Sequence, residues 1–567
     1  MVAPRRTIAK LVIQTHRQFA SELTVYPLSY GQSRRRHDMA ASSACDAYDT
    51  ALARLAQLQS NRAITSLFDT PAPAAAAGDS SKPPIDLNSL AIPEMLDWLR
   101  RAGYTPASLA ASPLRFVHVA GTKGKGSVSA LVASILHQYR DRGAGRVGLY
   151  TSPHVVSVRE RIVLDCKPIS QDKLARYVGE VWDRLTEAAR REAEAKGLLH
   201  DGPGGVSEEE LRGPGTKPFY FRFLTLAALH AFASEPGFRS AVVECGIGGE
   251  YDATNVLPAE SVTAAVVTQL GIDHVGMLGN TVEKIAWHKS GVFKPGVKAF
   301  TRRLRDDQGQ VMEVLRERAR EKGAVLVEVA DEEVERWGGV DGARLQGPFQ
   351  KYNMAVAVHA AREHLLQIGV GLEGRFGTDE WSLSDIPPEF VKGLREASLR
   401  GRCEVLRDAE GIEWHVDGAH TDDSLAGVGR WFAGRMGDVQ NDNSVRVLLF
   451  NQQERDPAPL LKALLSGAQK GSLSTFSHAV FTRNEEQGPT AGEERDLSTQ
   501  SKAQAIMQAV DATTATAVHS AVRPAVEHIR NIAAEARKEG KSCMVLATGS
   551  FHLVGAVLKT IDDHVEY

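Results

Sequence analysis

The chain has no C-x-x-C pair, no membrane-length apolar run, no G-x-S-x-G element and no repeat of solenoid period. Each absence removes a class of protein. Its five cysteines, Cys45, Cys166, Cys245, Cys403 and Cys543, stand far apart, which excludes a disulfide scaffold and a zinc cluster and points to a reducing compartment. Without about 20 consecutive apolar residues there is no integral membrane segment to expect. Without a nucleophile elbow, serine-hydrolase chemistry has no support. Charge does not lean far either way, at 67 basic against 70 acidic residues. It is unevenly spread, however: residues 1–36 hold seven Lys/Arg (Arg5, Arg6, Lys10, Arg17, Arg34, Arg35, Arg36) and one acid, Glu22, leaving 60 basic against 69 acidic residues elsewhere. An acidic body offers no basic face to nucleic acid, so no such partner is expected. What is present is ordinary globular material, 43% apolar and 24% charged over 567 residues, enough for two large α/β units.

The basic start is rich in Arg, Ser and Thr and nearly free of acids, so residues 1–43 read as a mitochondrial targeting segment. Met39 offers a second start, and the expectation is two products, mitochondrial and cytoplasmic, from Met1 and Met39. A helical pattern at Tyr48–Leu58 precedes a low-complexity run at Thr70–Pro84. From there to about Phe300, apolar runs alternate with helical stretches: 115–119, 146–150, 240–245 and 263–268 read as buried strands. After about Leu399 the rhythm restarts, with strands expected at 412–417, 445–450, 478–482 and 543–548. The fold class is α/β, with an N-terminal P-loop domain on a mainly parallel sheet at 44–397 and a smaller Rossmann-like domain at 398–567. Two polar stretches, 187–218 and 484–501, read as solvated insertions without recognisable chemistry.

The segment 118–136, HVAGTKGKGSVSALVASIL, leads from a strand into a helix through Gly121, Gly124 and Gly126. Glycines let backbone N–H groups face a phosphate, the helix start adds positive potential, and Lys125 can reach the outer phosphates, with Ser127 in place to hold magnesium. The pattern departs from G-x-x-x-x-G-K-[ST], because Gly126 follows Lys125 and Val119 stands where a glycine would. Three further polar clusters end or follow strands: 149–162, 243–256 and 268–296. Glu244 closes an apolar strand, where an unpaired carboxylate is costly and a hard cation is the economical partner.

Taken in order, GTKGKGS, TSPH, ECGIGGEYDATN, GIDH-x-x-x-LG-x-T, K-x-GV-x-KPG, QKYN, GR-x-E, DGAHT, FNQQERDP and TGSFHLVG occupy the chain from Gly121 to Gly555. In these the chain resembles the folylpolyglutamate synthases of the eukaryotic type, within the Mur-ligase-like group of ATP-dependent amide-forming enzymes. The resemblance implies that Gly121, Gly124, Lys125, Gly126 and Ser127 bind nucleotide phosphates, and that Ser152, Glu244 and His274 hold Mg2+. It implies a carbamate on Lys289, a nucleotide contact at Asn353, and ATP contacts at Arg402 and Asp417 with His420 beside them. Lys125, Lys289 and His420 form the catalytic set. A monovalent cation is a further candidate cofactor, and FNQQERDP is a candidate contact for the incoming amino acid. Bacterial members continue DGAH with Asn-Pro; here Thr421 and Asp422 follow, which points to the eukaryotic branch. The implied reaction adds L-glutamate to the γ-carboxylate of a reduced folate through an acyl phosphate, in a monomer. Glutamate addition to dihydropteroate, alone or as a second activity, is the alternative.

Overall fold

Each apolar run expected as a strand is one in the computed structural model, with ends shifted by at most two residues. The structure describes residues 39–58, 90–200, 204–303, 309–436, 443–453, 455–469, 476–490 and 494–561, with side chains from position 46. The basic start at 1–38 and the low-complexity run at 70–84 lie outside them. The helix expected at Tyr48–Leu58 is longer, Met39–Gln57.

The chain divides into two compact units, and the expected span 44–397 is shared between them. One unit joins the helix Met39–Gln57 to Met95–Tyr104 and Ser170–His230; the other holds Thr105–Ile169 and all from Ala231 onward. In the first, the long helix Gln171–Ala195 buries Leu174, Val178, Val181 and Leu185, a stripe at helical spacing. The stretch 187–218 begins with the end of that helix and is mostly exposed or half-buried, with a few buried anchors. Ala189, Ala193 and Leu211 are buried in a small cluster, and buried Lys217 donates from Nζ to the carbonyls of Leu211 (3.1 Å) and Gly213 (3.3 Å). A lysine that satisfies the last carbonyls of a short helix is as structural as a leucine.

The second unit carries two sheets. The first has the order β4-β3-β2-β5-β1-β6-β7-β8, with β1 Arg115–Ala120, β2 Arg146–Tyr150, β3 Ile162–Leu164, β4 Lys167–Pro168, β5 Phe238–Glu244, β6 Val262–Val267, β7 Lys298–Arg302 and β8 Val325–Val329. All neighbours run parallel except β2-β3 and β3-β4. The second sheet has the order β13-β12-β11-β14-β10-β9, with β9 Glu404–Arg407, β10 Glu413–Asp417, β11 Ser444–Phe450, β12 His478–Thr482, β13 Ala515–His519 and β14 Ser542–Thr548. Only β9 is antiparallel to its neighbour. Alternation in the first sheet therefore runs to Val329, past Phe300. The stretch 484–501 needs correction: the helix Ser498–Val510 begins inside it, and buried Gln500 donates to Asn451 Oδ1 at 2.8 Å.

The helix Lys125–Gln138 is apolar on almost every side, and Gly126 through Leu136 are buried. Such a helix must be covered all round. One side lies on β2 and β5, and the helices Gln350–Gln367 and Pro388–Glu396 cover others. Gly393 permits the closest crossing: a Cβ there would stand 2.6 Å from Ile135 Cα.

Candidate active site

The site is built on the ends of β1, β5, β6 and β10, the carboxyl edges where parallel sheets present ligands. β1 ends at Ala120 and the chain turns through Gly121, with φ of +145°, into Gly124, with φ of +86°. Both glycines are required by their surroundings. A Cβ on Gly121 would lie 1.8 Å from Thr268 Oγ1, and one on Gly124 would lie 2.6 Å from Asn353 Oδ1. The turn is pinned to the segment after β6: Thr122 and Lys123 N–H donate to Gln269 O (2.9 and 3.1 Å), and Thr268 Oγ1 donates to Lys123 O (2.7 Å). Gly124 begins the helix without a side-chain cap, which leaves its first N–H groups turned toward the loop. Lys125 forms no hydrogen bond or ion pair with a described residue. A loop so pinned, with positive potential and an unengaged ammonium, is suited to phosphate oxygens.

Glu244 ends β5 at 3% exposure, and its Oε2 accepts the Ser152 N–H at 3.1 Å. Burial pushes its carboxyl above the usual range, against the opposing pull of Lys125, the Ser152 N–H, Arg402 and Arg161. A Cβ on Gly126 would stand 3.5 Å from Glu244 Oε2, so the helix start and the carboxylate are neighbours. His274 has φ of +50° and opens the short helix Val275–Leu278. Burial lowers its pKa; Asp273 raises it, and Lys125, Lys289 and His420 lower it further. No hydrogen bond or ion pair joins His274 to Glu244 or Ser152 among the described residues.

Ser152, Glu244 and His274 are the residues that would hold magnesium. Among the described residues no three His, Cys, Asp or Glu side chains stand together as a closed metal cage. Mg2+ takes one or two carboxylates and completes its shell with water and phosphate oxygens. A buried carboxylate bonded to one N–H, with a hydroxyl on the same residue as that N–H, fits such an open site.

Lys289 ends the helix Val282–Lys289 and is 2% exposed, donating from Nζ to Gly121 O at 2.8 Å. It is thus no solvated helix-end lysine. Burial, reinforced by Lys125, draws its pKa down to about 7, with Cys245, Asp273 and Asp252 opposing. Asn353 stands against Gly124, and its Nδ2 donates to Gln350 Oε1 at 2.9 Å. Gln350, buried, reaches Ser127 Oγ at 3.5 Å.

From the second sheet, Asp417 ends β10 and accepts the N–H groups of Cys403 (2.7 Å) and Ala419 (2.9 Å). Burial raises its pKa and Arg402 opposes this. Arg402 lies 4.1 Å over the Phe551 ring, and burial lowers its pKa against Asp417 and Glu244. His420 packs edge-on against the same ring at 5.9 Å, with Nδ1 at 3.2 Å from Gly418 O. Phe551 is therefore a shelf shared by two candidate residues. Gly418 makes room for it, since a Cβ there would meet the ring at 2.2 Å. Phe551, Gln350 and Thr268 are absent from the residues picked out in the sequence, although the first two stand in quoted motifs and Thr268 opens the cluster 268–296.

A cavity of about 630 Å³ opens from this place, reaching Ser152, Glu244 and Arg402. One wall is a single face of the phosphate-loop helix: Gly126, Ala130, Ala133, Ser134, His137 and Gln138. Glu160 shapes another side, its carboxylate accepting N–H groups of Val155, Val156 and Ser157 at 2.8, 2.9 and 2.7 Å.

Residues 405–560 match the family model described as dihydrofolate synthetase, C-terminal domain. The folylpolyglutamate synthase of Saccharomyces cerevisiae strain FostersO is 40% identical over 399 residues, which span 70% of this chain and 66%, just under two thirds, of the yeast protein. Among solved structures, the folylpolyglutamate synthase of Mycobacterium tuberculosis complexed with ADP superposes with a TM-score of 0.61 at 24% identity, covering 90% of this chain and 99% of that one. The apo form of L. casei FPGS gives 0.58 at 22% identity, covering 90% and 99%. These two show a shared fold.

Proposed function

We propose that the chain is a member of the folylpolyglutamate synthase family and that it joins L-glutamate in amide linkage to the γ-carboxylate of reduced folate and its polyglutamates, with ATP cleaved to ADP and phosphate. The observation that carries the reading is the juxtaposition of an unengaged Lys125 on a glycine-built loop with a buried carboxylate, Glu244, at one end of a long cavity.

The folate carboxylate oxygen attacks the γ-phosphorus, the bond from that phosphorus to the β-bridging oxygen breaks, and ADP leaves. The amino nitrogen of glutamate then attacks the acyl carbon. The new C–N bond forms, the C–O bond to phosphate breaks, and the nitrogen gives up its proton. Lys125 and the N–H groups at the helix start stabilise charge on phosphorus oxygens, which is where positioning and electrostatics act in such transfers. Gly121, Gly124, Gly126 and Ser127 shape that cradle, while Asn353, Arg402 and Asp417 would hold the rest of the nucleotide, with His420 on the Phe551 shelf beside them. Ser152, Glu244 and His274 would hold Mg2+, which supplies neutralisation of phosphate charge when bound. Lys289, drawn down to about 7, is a largely uncharged amine above that pH and so suited to take up carbon dioxide as a carbamate.

Purified protein offered ATP and labelled glutamate with either tetrahydrofolate or dihydropteroate tests the reading. Incorporation with tetrahydrofolate is expected; incorporation with dihydropteroate alone would reassign the substrate. We also propose that residues 1–43 direct a mitochondrial product, with a cytoplasmic one starting at Met39. Strictly cytosolic fluorescence from a fusion of residues 1–45 would contradict this.

A further inference from the structure

The cavity beside the candidate site extends far beyond what a single carboxylate needs. Its wall positions on the phosphate-loop helix run from Gly126 to Gln138, which at 1.5 Å per residue is roughly 18 Å. Glu244, Ser152 and Arg402 mark the reacting end. The opposite end is marked by Gln138, whose Nε2 donates to Glu396 Oε2 at 3.1 Å, and by His137, which feels both Asp165 and Glu396.

The charged groups around that cavity are unequally engaged. Its acids other than Glu244 are already satisfied. Glu160 accepts three backbone N–H groups, Asp165 accepts Arg146 Nε at 2.7 Å and the Val147 N–H at 3.0 Å, and Glu396 accepts Gln138. Three of its cations have no carboxylate partner among the described residues. Arg159 spends one donor, Nε, on Ile169 O at 2.6 Å, while Lys167 and Arg344 are exposed and form no side-chain hydrogen bond or ion pair with a described residue. Asp165, next to Lys167 in the same turn, is turned to Arg146 instead. Lys167 pairs with Leu164 of β3, which faces Gly148 two residues before the end of β2, and the Arg344 N–H donates to Arg395 O, one residue from Glu396.

We propose that Arg159, Lys167 and Arg344 form a subsite for the γ-glutamyl tail already attached to the folate, binding the free α-carboxylate that each glutamyl unit carries. The inference rests on the functional reading above and deepens it. If the terminal γ-carboxylate lies at Glu244, the preceding units must lead away from it along the helix face. Each γ-linked unit spans roughly 6 Å by ordinary bond lengths, so the groove accepts more than one. Ala130, Ala133, Leu149 and Val163 offer apolar wall to the methylenes between the carboxylates. An ammonium and two guanidiniums offer charge-assisted bonds to the carboxylates themselves. Such a groove favours substrates that already carry a tail, so it governs how long the product chains become.

The test compares tetrahydrofolate with its tri-γ-glutamyl form as substrates for the full chain and for Lys167→Ala/Arg344→Ala, both surface positions whose truncation leaves the fold intact. The KM for the triglutamate is expected to rise about tenfold, equivalent to about 1.4 kcal/mol, with kcat and the monoglutamate KM little changed. Products at long incubation are expected to be shorter by mass spectrometry, and Lys167→Arg/Arg344→Lys is expected to restore chain length. Equal effects on both substrates, or none on either, would overturn the subsite. If the unaltered protein adds no glutamate at all, the functional reading falls and the subsite falls with it, whereas an active enzyme whose variants show no length dependence rejects the subsite alone.

Discussion

Glu244 is held where an ionised carboxylate is disfavoured, next to Lys125 and with one backbone N–H for company. Such a group serves function at some expense of stability. Glu244→Gln is therefore expected to melt at the same temperature or higher, while glutamate addition falls by roughly a hundredfold or more. Wild-type turnover with unchanged magnesium dependence would remove Glu244 from the site. Lys289 makes a different prediction. Its folded pKa, about 7, lies below that of a free lysine, so the unfolded chain binds a proton that the folded one lacks between about pH 7 and pH 10. Stability from this residue is thus smallest at and below pH 7 and grows as pH rises, by up to about 1.4 kcal/mol per unit. The stability difference between wild type and Lys289→Met should shift toward wild type across that window in chemical denaturation. A flat difference would mean that Lys289 stays charged in the fold. Which of these residues could be read beforehand follows a physical pattern. Glu244 and Lys125 advertise themselves by standing at the junction of an apolar strand and a glycine turn. The burial of Lys289 depends on Gly121 O, which is 168 positions away and leaves no local trace.

Elements show the same divide. β1, β5 and β6 are buried on nearly every residue, so both faces read as apolar and the strands were legible. β9 and β13 lie at sheet edges with partly exposed side chains, and their mixed sequences give no such run. The helix Pro388–Glu396 illustrates a dependence that only the packed structure reveals. It rests on the phosphate-loop helix through Gly393, where a Cβ would come within 2.6 Å of Ile135 Cα and 2.9 Å of Ile135 N. Backbone atoms cannot swing aside, so Gly393→Val is expected to cost about 1–3 kcal/mol and to lower the melting temperature by several degrees. Because the phosphate-loop helix carries Lys125 at its start, affinity for ATP should weaken in parallel. A variant as stable as wild type would show that the two helices can separate freely.

For the molecule as a whole, the second unit brings ligand edges from two sheets to one place: Glu244 from the first sheet and Arg402 with Asp417 from the second feel one another's charge. The two-sheet plan was legible because strands and helices alternate twice, with a break near Leu399. The separate unit containing Ser170–His230 was not, because its helices interrupt the alternation without changing its rhythm. The proposed reaction couples nucleotide cleavage to the carboxylate, and the most direct measurement of that coupling is ADP release counted against glutamate incorporated, with tetrahydrofolate present, for wild type and Lys125→Ala. One ADP per glutamate, no ADP release without folate, and loss of both in Lys125→Ala is the predicted result. ADP formed at the same rate without folate, or glutamate incorporated without ADP, would contradict it.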